Sequence, residues 1–210
     1  MRGGSWNNND NNCQPANRNW NNQLQNMKTQ HLLYLLPFLF TACISLHISG
    51  LHSGYKNLSP VQKQKIKIVS DSTEICNLNN DQIIYSVTAT QLLNCLQRND
   101  SSVVYIWGPN CSSKNCILLG AAQSYCDKKN YKLYVVAEYY DMEQIDAQNN
   151  TKLPIFSINQ KHYKTDYCNK YRKLFTRELV RNRKIEEDGS RFFVFRQDNL
   201  IRHKENLFEQ

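Results

Sequence analysis

The chain has 210 residues, 40% of them hydrophobic and 21% charged, with a net charge of +8 from 26 basic and 18 acidic side chains. That length and apolar content suit one domain with a full core plus extra segments. The basic residues scatter apart from a cluster between Lys161 and Lys184 and carry no Arg/Gly/aromatic pattern, so a solvated helix face is expected and nucleic acid is not an expected partner.

In chain order, residues 1–26 are Asn-rich and almost free of aliphatic side chains, so alone they should be disordered. Their run from Arg2 through Trp6 to Asn9, with Cys13 and Ala16 to Asn19, resembles the closing segment of formylglycine-generating-enzyme-like domains of the C-type-lectin type. It also resembles the Asn-rich repeat of diversity-generating retroelements. The resemblance implies an over-extended start or a template repeat translated in frame, with Met27 as the natural initiator. From Met27 a positive start precedes the apolar run Leu32 to Ala42, the pattern of a secretion signal. Thr41, Ala42 and Cys43 close it in the manner of a bacterial lipoprotein signal, which implies lipidation at Cys43. The other reading is an uncleaved anchor, because apolar character continues weakly through Ile48 to the ~18 residues needed to span a bilayer. Both readings tether residues 27–43 to a membrane and place the rest on the periplasmic face of a bacterial membrane. Residues 44–61 read as a tether, Gly/Ser/Asn/His-rich between Ser49 and Ser59, and the folded domain is expected over 62–210.

Within that domain, Lys65 to Val69 and Gln82 to Val87 are strand-like runs. Thr90 is placed to cap a helix over Gln91 to Gln97. Val103 to Trp107 reads as a buried central strand broken by Gly108 and Pro109, and Asn115 to Lys128 as the following helix. Tyr131 to Glu138 is another buried strand, which completes a β-α-β unit. Asp141 then caps a short helix to Gln148, Leu153 to Ile158 is extended, and Tyr167 to Arg181 carries Leu174, Phe175 and Leu179 at helical spacing. Arg191 to Arg196, the turn at Gln197 to Asn199, and Leu200 to Lys204 form a hairpin pattern.

The chemistry concentrates at the end of the central strand. Cys111 is expected at a helix N-terminus, where unpaired amides and the helix dipole favour a thiolate, and Lys114 would add to the effect. Cys116 follows five residues later. On an ideal helix it would lie about 140° around and about 7.5 Å along, beyond disulfide reach; with Cys111 in a loop instead, a bridge becomes feasible. Cys76, Cys95, Cys111, Cys116, Cys126 and Cys168 can form three disulfides in fifteen ways. Cys95 and Cys126 read as plain core residues, and Cys168 is uncommitted.

Trp107 followed by Cys111 and then Cys116, in this element order, resembles the membrane-tethered thioredoxin-like and redoxin family over about residues 83–206. The resemblance implies a thioredoxin-like three-layer α/β/α fold with a mixed central sheet, an inserted strand and helix, and a C-terminal β-hairpin. It implies thiol-disulfide exchange with protein thiols or disulfides. Cys111 would attack, Cys116 would resolve, and Trp107, Pro109 and Lys114 would shape the surface that receives the partner, with no cofactor or metal. The sequence departs from that family in two places. Lys114 stands where its second cysteine belongs, and Ser190 precedes the Arg191 strand where its cis-proline belongs. Two alternatives follow: a catalytically inactive thioredoxin fold with a binding or structural role, and a copper chaperone using Cys111, Cys116 and His203.

Overall fold

Alternation along the strands decides the architecture. In the computed structural model, which describes residues 49–70, 75–111, 113, 116–181 and 189–208, the strands are β1 (Ile66–Ile68), β2 (Ile84–Val87), β3 (Ser102–Trp107), β4 (Lys132–Ala137), β5 (Phe156–Ile158), β6 (Phe192–Arg196) and β7 (Asn199–Lys204). The helices are α1 (Pro60–Gln64), α2 (Ala89–Leu96), α3 (Leu119–Lys128), α4 (Met142–Gln148) and α5 (Cys168–Leu179). The Asn-rich extension, the segment 27–43 with Cys43, and Lys114 lie outside the described residues.

The strands form one seven-stranded mixed sheet in the order β1-β2-β5-β4-β3-β6-β7. The first five are mutually parallel, and β6 and β7 are antiparallel additions on the far side of β3. Because successive side chains point to opposite faces, Val104, Ile106, Tyr134, Val136, Phe193 and Phe195 bury one way, with Leu92 and Leu96 of α2 and Tyr171 and Phe175 of α5. Val103, Tyr105, Trp107, Leu133, Val135 and Phe192 bury the other way, with Leu119 and Ala122 of α3 and Ile145 of α4. Every residue of β3 is buried, as a strand covered on both faces requires. The fold is therefore α/β with a mixed sheet and an apolar cluster on each face.

Local signals were mostly correct and sometimes displaced. Asp141 caps α4, accepting from the Gln144 amide at 3.1 Å. The cap of α2 is Thr88, not Thr90: its hydroxyl and the Gln91 side chain form a reciprocal capping box. Thr90 instead hydrogen-bonds Glu178 across to α5. The hairpin turns at Gln197, which adopts a left-handed φ of 52°.

Of the segment expected to be a free tether, the described stretch from residue 49 to residue 58 is packed onto the domain. The Ser53 amide donates to the Asp166 carbonyl at 3.0 Å, the Tyr140 amide to the Ser53 carbonyl at 2.7 Å, and the Cys168 amide to the Leu51 carbonyl at 3.0 Å. Packing onto the domain thus already includes Leu51 and Ser53, ahead of Gln62. Gly50 and Gly54, which made the composition look like a linker, supply positive φ angles of 83° and 76° that the docked path needs. Among the described residues no helix is long and apolar enough to cross a membrane.

Candidate active site

The carboxyl ends of parallel strands are where an open α/β sheet exposes its connecting loops. Here the loops after β3 and β4 meet the chain entering β6. The Glu138 amide donates to the Trp107 carbonyl at 2.8 Å, and the Ile106 amide to the Arg191 carbonyl at 2.8 Å. Gly108 to Cys111 is a β-turn closed by the Cys111 amide donating to the Gly108 carbonyl at 3.0 Å, with Pro109 at the second position, where its fixed φ is favoured.

Cys111 and Cys116 are joined by a disulfide, with 5.8 Å between their Cα atoms. The feasible case is therefore the loop case. Helix α3 starts at Leu119, four residues later than the apolar pattern predicts. The reason is tertiary. The Tyr105 hydroxyl rises from the sheet, accepts from the Ile117 amide and donates to the Ile117 carbonyl, each at 3.2 Å, so both groups are taken from any helical ladder. Burial raises the pKa of Tyr105, which keeps that hydroxyl protonated. In consequence Cys111 is not at a helix N-terminus. Since the dipole effect fades within the first turn, it does not act on this sulfur.

Other groups take its place. The Ser113 hydroxyl, absent from the sequence reading, lies 3.4 Å from the Cys111 sulfur and 3.3 Å from the Cys116 sulfur. A hydroxyl so placed can donate to a thiolate on either side once the bridge opens, which favours the charged form. Beneath the turn sits Glu138, 7% exposed, with Arg172 Nη1 and Arg191 Nη1 each 3.3 Å from its Oε1. A Cβ built on Gly108 would stand 3.2 Å from Glu138 Oε2, 3.5 Å from Arg191 Nη1 and 3.6 Å from Cys111 Cβ. Carboxylate, guanidinium and cysteine thus converge on that point, and an added methyl would press on the carboxylate. Only the acidic end of a strand followed by two tyrosines marked Glu138 in the sequence, and its arginines come from distant elements.

The sequence-named residues divide accordingly. Cys111 and Cys116 are half-buried and bonded to each other. Trp107 is 2% exposed and packs in the core, and Pro109 is also buried. Trp107 belongs to the apolar cluster on the α3 side of the sheet, and Pro109 is part of the turn itself, so both offer little surface to a partner. Leu118, 69% exposed, is the apolar side chain that reaches solvent just after Cys116. Cys95 is buried as expected but not a plain core residue, being bonded to Cys76. Cys126 and Cys168 are buried free thiols, and burial pushes their pKa values up to about 12 and about 11. His203 is engaged by the Ser190 hydroxyl at 2.9 Å and stacks against Phe193. Among the described residues no group of three or more His, Cys, Asp or Glu side chains could hold a metal ion. A polar cleft of about 530 Å³, between Arg98, Asp100, Lys132 and Lys152, opens at the amino ends of β3 and β4, at the other end of the strands.

Comparison with protein-family models, with curated proteins and with solved structures finds no match to this chain.

Proposed function

We propose that the chain is an exported, membrane-tethered protein of thioredoxin-like three-layer α/β/α architecture that exchanges thiols and disulfides through Cys111 and Cys116. The observation that carries this reading is the contrast between the two bridges. Cys76–Cys95 is sealed, at 7% and 0% exposure, and spans 19 residues. Cys111–Cys116 is accessible, spans only 5 residues, and sits at the carboxyl ends of parallel strands above a buried carboxylate. The shorter loop contributes about 1 kcal/mol less to stability by chain entropy, and accessible disulfides are the labile ones. The placement of β3 between a parallel β4 and an antiparallel β6, with β5 added between β4 and β2, supports the thioredoxin-like reading.

In the reducing direction the Cys111 thiolate attacks one sulfur of a partner disulfide and expels the other as a thiolate. The Cys116 thiolate then attacks the Cys111 sulfur of the mixed disulfide, forming the Cys111–Cys116 bond and releasing the second partner thiolate. Two electrons pass to the partner, and a dithiol donor must restore the pair; oxidation of a partner runs the same steps in reverse. A second reading, binding without exchange, is favoured by one observation, the absence of a helix N-terminus at Cys111.

Redox titration against glutathione, read by alkylation and mass, separates the two. The exchange reading expects Cys111–Cys116 to titrate reversibly above about −300 mV while Cys76–Cys95 stays oxidised. Cys116→Ser is expected to accumulate mixed disulfides with partner proteins, and Cys111→Ser none. A bridge that resists reduction, or equal trapping by both variants, returns the protein to a binding role.

A further inference from the structure

The turn that carries Cys111 is fastened at the residue before it. The Asn110 amide donates to the Tyr139 hydroxyl at 2.9 Å, and the Asn110 side-chain amide donates to the Asp141 carboxylate. Tyr139 is 8% exposed, and burial raises its pKa, so the hydroxyl stays neutral. Its ring is seated in turn by the docked segment 49–58. A Cβ on Gly50 would stand 3.2 Å from Tyr139 Cε1, and one on Gly54 would stand 2.8 Å from the Tyr140 carbonyl oxygen. That segment is pinned by Ser53, 1% exposed, whose hydroxyl binds Asp166, and by His52, whose ring lies 4.8 Å from that of Tyr167.

From this chain of contacts we infer that Tyr139 and Asp141 are positioning residues for Cys111, and that the strap formed by residues 49–58 holds Tyr139 in place. The inference rests on the exchange reading above and adds how that site is held. With Asn110 fastened on both its backbone and its side chain, Cys111 is kept within bonding distance of Cys116, so the intramolecular bond forms at high effective concentration. Releasing Asn110 lets the turn move, which lowers that concentration and favours the dithiol. The strap is thereby part of the reaction site's support, and its glycines are fixed by contact and by φ alike.

The test uses the full chain. Tyr139→Phe keeps the ring and removes the acceptor, while Asp141→Asn keeps a capping oxygen for Gln144 and removes the charge on the Asn110 contact. Each is expected to shift the Cys111–Cys116 equilibrium with glutathione toward the dithiol by about three- to tenfold, the worth of one hydrogen bond. Gly50→Ala, which presses on the ring from the strap, is expected to shift it the same way. The midpoints of denaturant unfolding of the oxidised and the reduced chain serve as control, because a merely structural role would move both alike and leave the redox equilibrium in place. A pair that exchanges in the unsubstituted chain but with the same equilibrium constant in all three variants overturns the positioning role and leaves the exchange reading intact. A pair inert in the unsubstituted chain overturns both.

Discussion

Glu138 shows how one side chain can tie distant parts of this chain together. Its carboxylate meets guanidiniums from α5 and from the entry to β6, and its backbone carbonyl accepts from the Tyr171 hydroxyl and, at 3.7 Å, from the Cys168 thiol. A carboxylate 7% exposed is tolerable only because both arginines neutralise it, and they are tolerable because they keep an outlet to water at 26% and 19% exposure. Removing the shared partner therefore costs more than removing either arginine. Glu138→Ala is expected to destabilise the fold by about 3 kcal/mol, the low end for breaking a buried pair, since the arginines are partly screened. Urea unfolding at pH 7 measures it. A loss below 1 kcal/mol would show that the arginines find water without rearrangement.

Among the elements, the Ile75–Asn77 turn and α2 are joined by the Cys76–Cys95 bridge, with a Cα separation of 4.9 Å. Asn99 donates to the Cys95 carbonyl at 2.7 Å and to the Tyr134 hydroxyl at 3.0 Å, so the bridge is also anchored to β4. Replacing both cysteines by serine is expected to lower stability by about 3 kcal/mol from loop entropy alone. Comparing the double variant with the parent by thermal unfolding tests it, and an unchanged transition would mean that packing already fixes the turn. The same elements mark how far the sequence could be read. Strands β3, β4, β5 and β6 were legible because β-branched and aromatic runs are punctuated by Gly, Pro and polar turns. The α4 cap was legible because Asp141 bonds an amide three residues away. The start of α3 was not, because Tyr105 is twelve residues from the group it captures. Nor was the strap, since composition reports the freedom of Gly50 and Gly54 and not what they dock against. The burial of Cys95 could be read from its leucine neighbours; its bond to Cys76 required the fold.

On the scale of the whole molecule, the two faces of the sheet each hold one thiol: Cys168 in the cluster with α2 and α5, Cys126 in the cluster with α3 and α4. Burial is the main cause that raises both, from an ordinary 9.0 to about 11 for Cys168 and about 12 for Cys126. Folding therefore becomes linked to alkaline pH. A unit or more below pH 9 the folded and unfolded chains bind these protons almost equally, and stability is independent of them. Between pH 9 and about 11 the unfolded chain releases both protons while the folded chain keeps them, so unfolding is progressively favoured; the Cys126 contribution continues to about pH 12. The urea midpoint is expected to be flat from pH 7 to 8 and to fall above pH 9. Cys126→Ala with Cys168→Ala should lower the plateau by opening two small cavities and make the onset of the decline later, leaving the part due to buried tyrosines such as Tyr134, raised to about 12. Because the thiols lie on opposite faces, each single variant should remove part of the early slope if the two faces unfold together. An early slope abolished by one variant alone would show that one cluster opens before the other, and a midpoint unchanged through pH 10 would show that neither thiol is shielded from water.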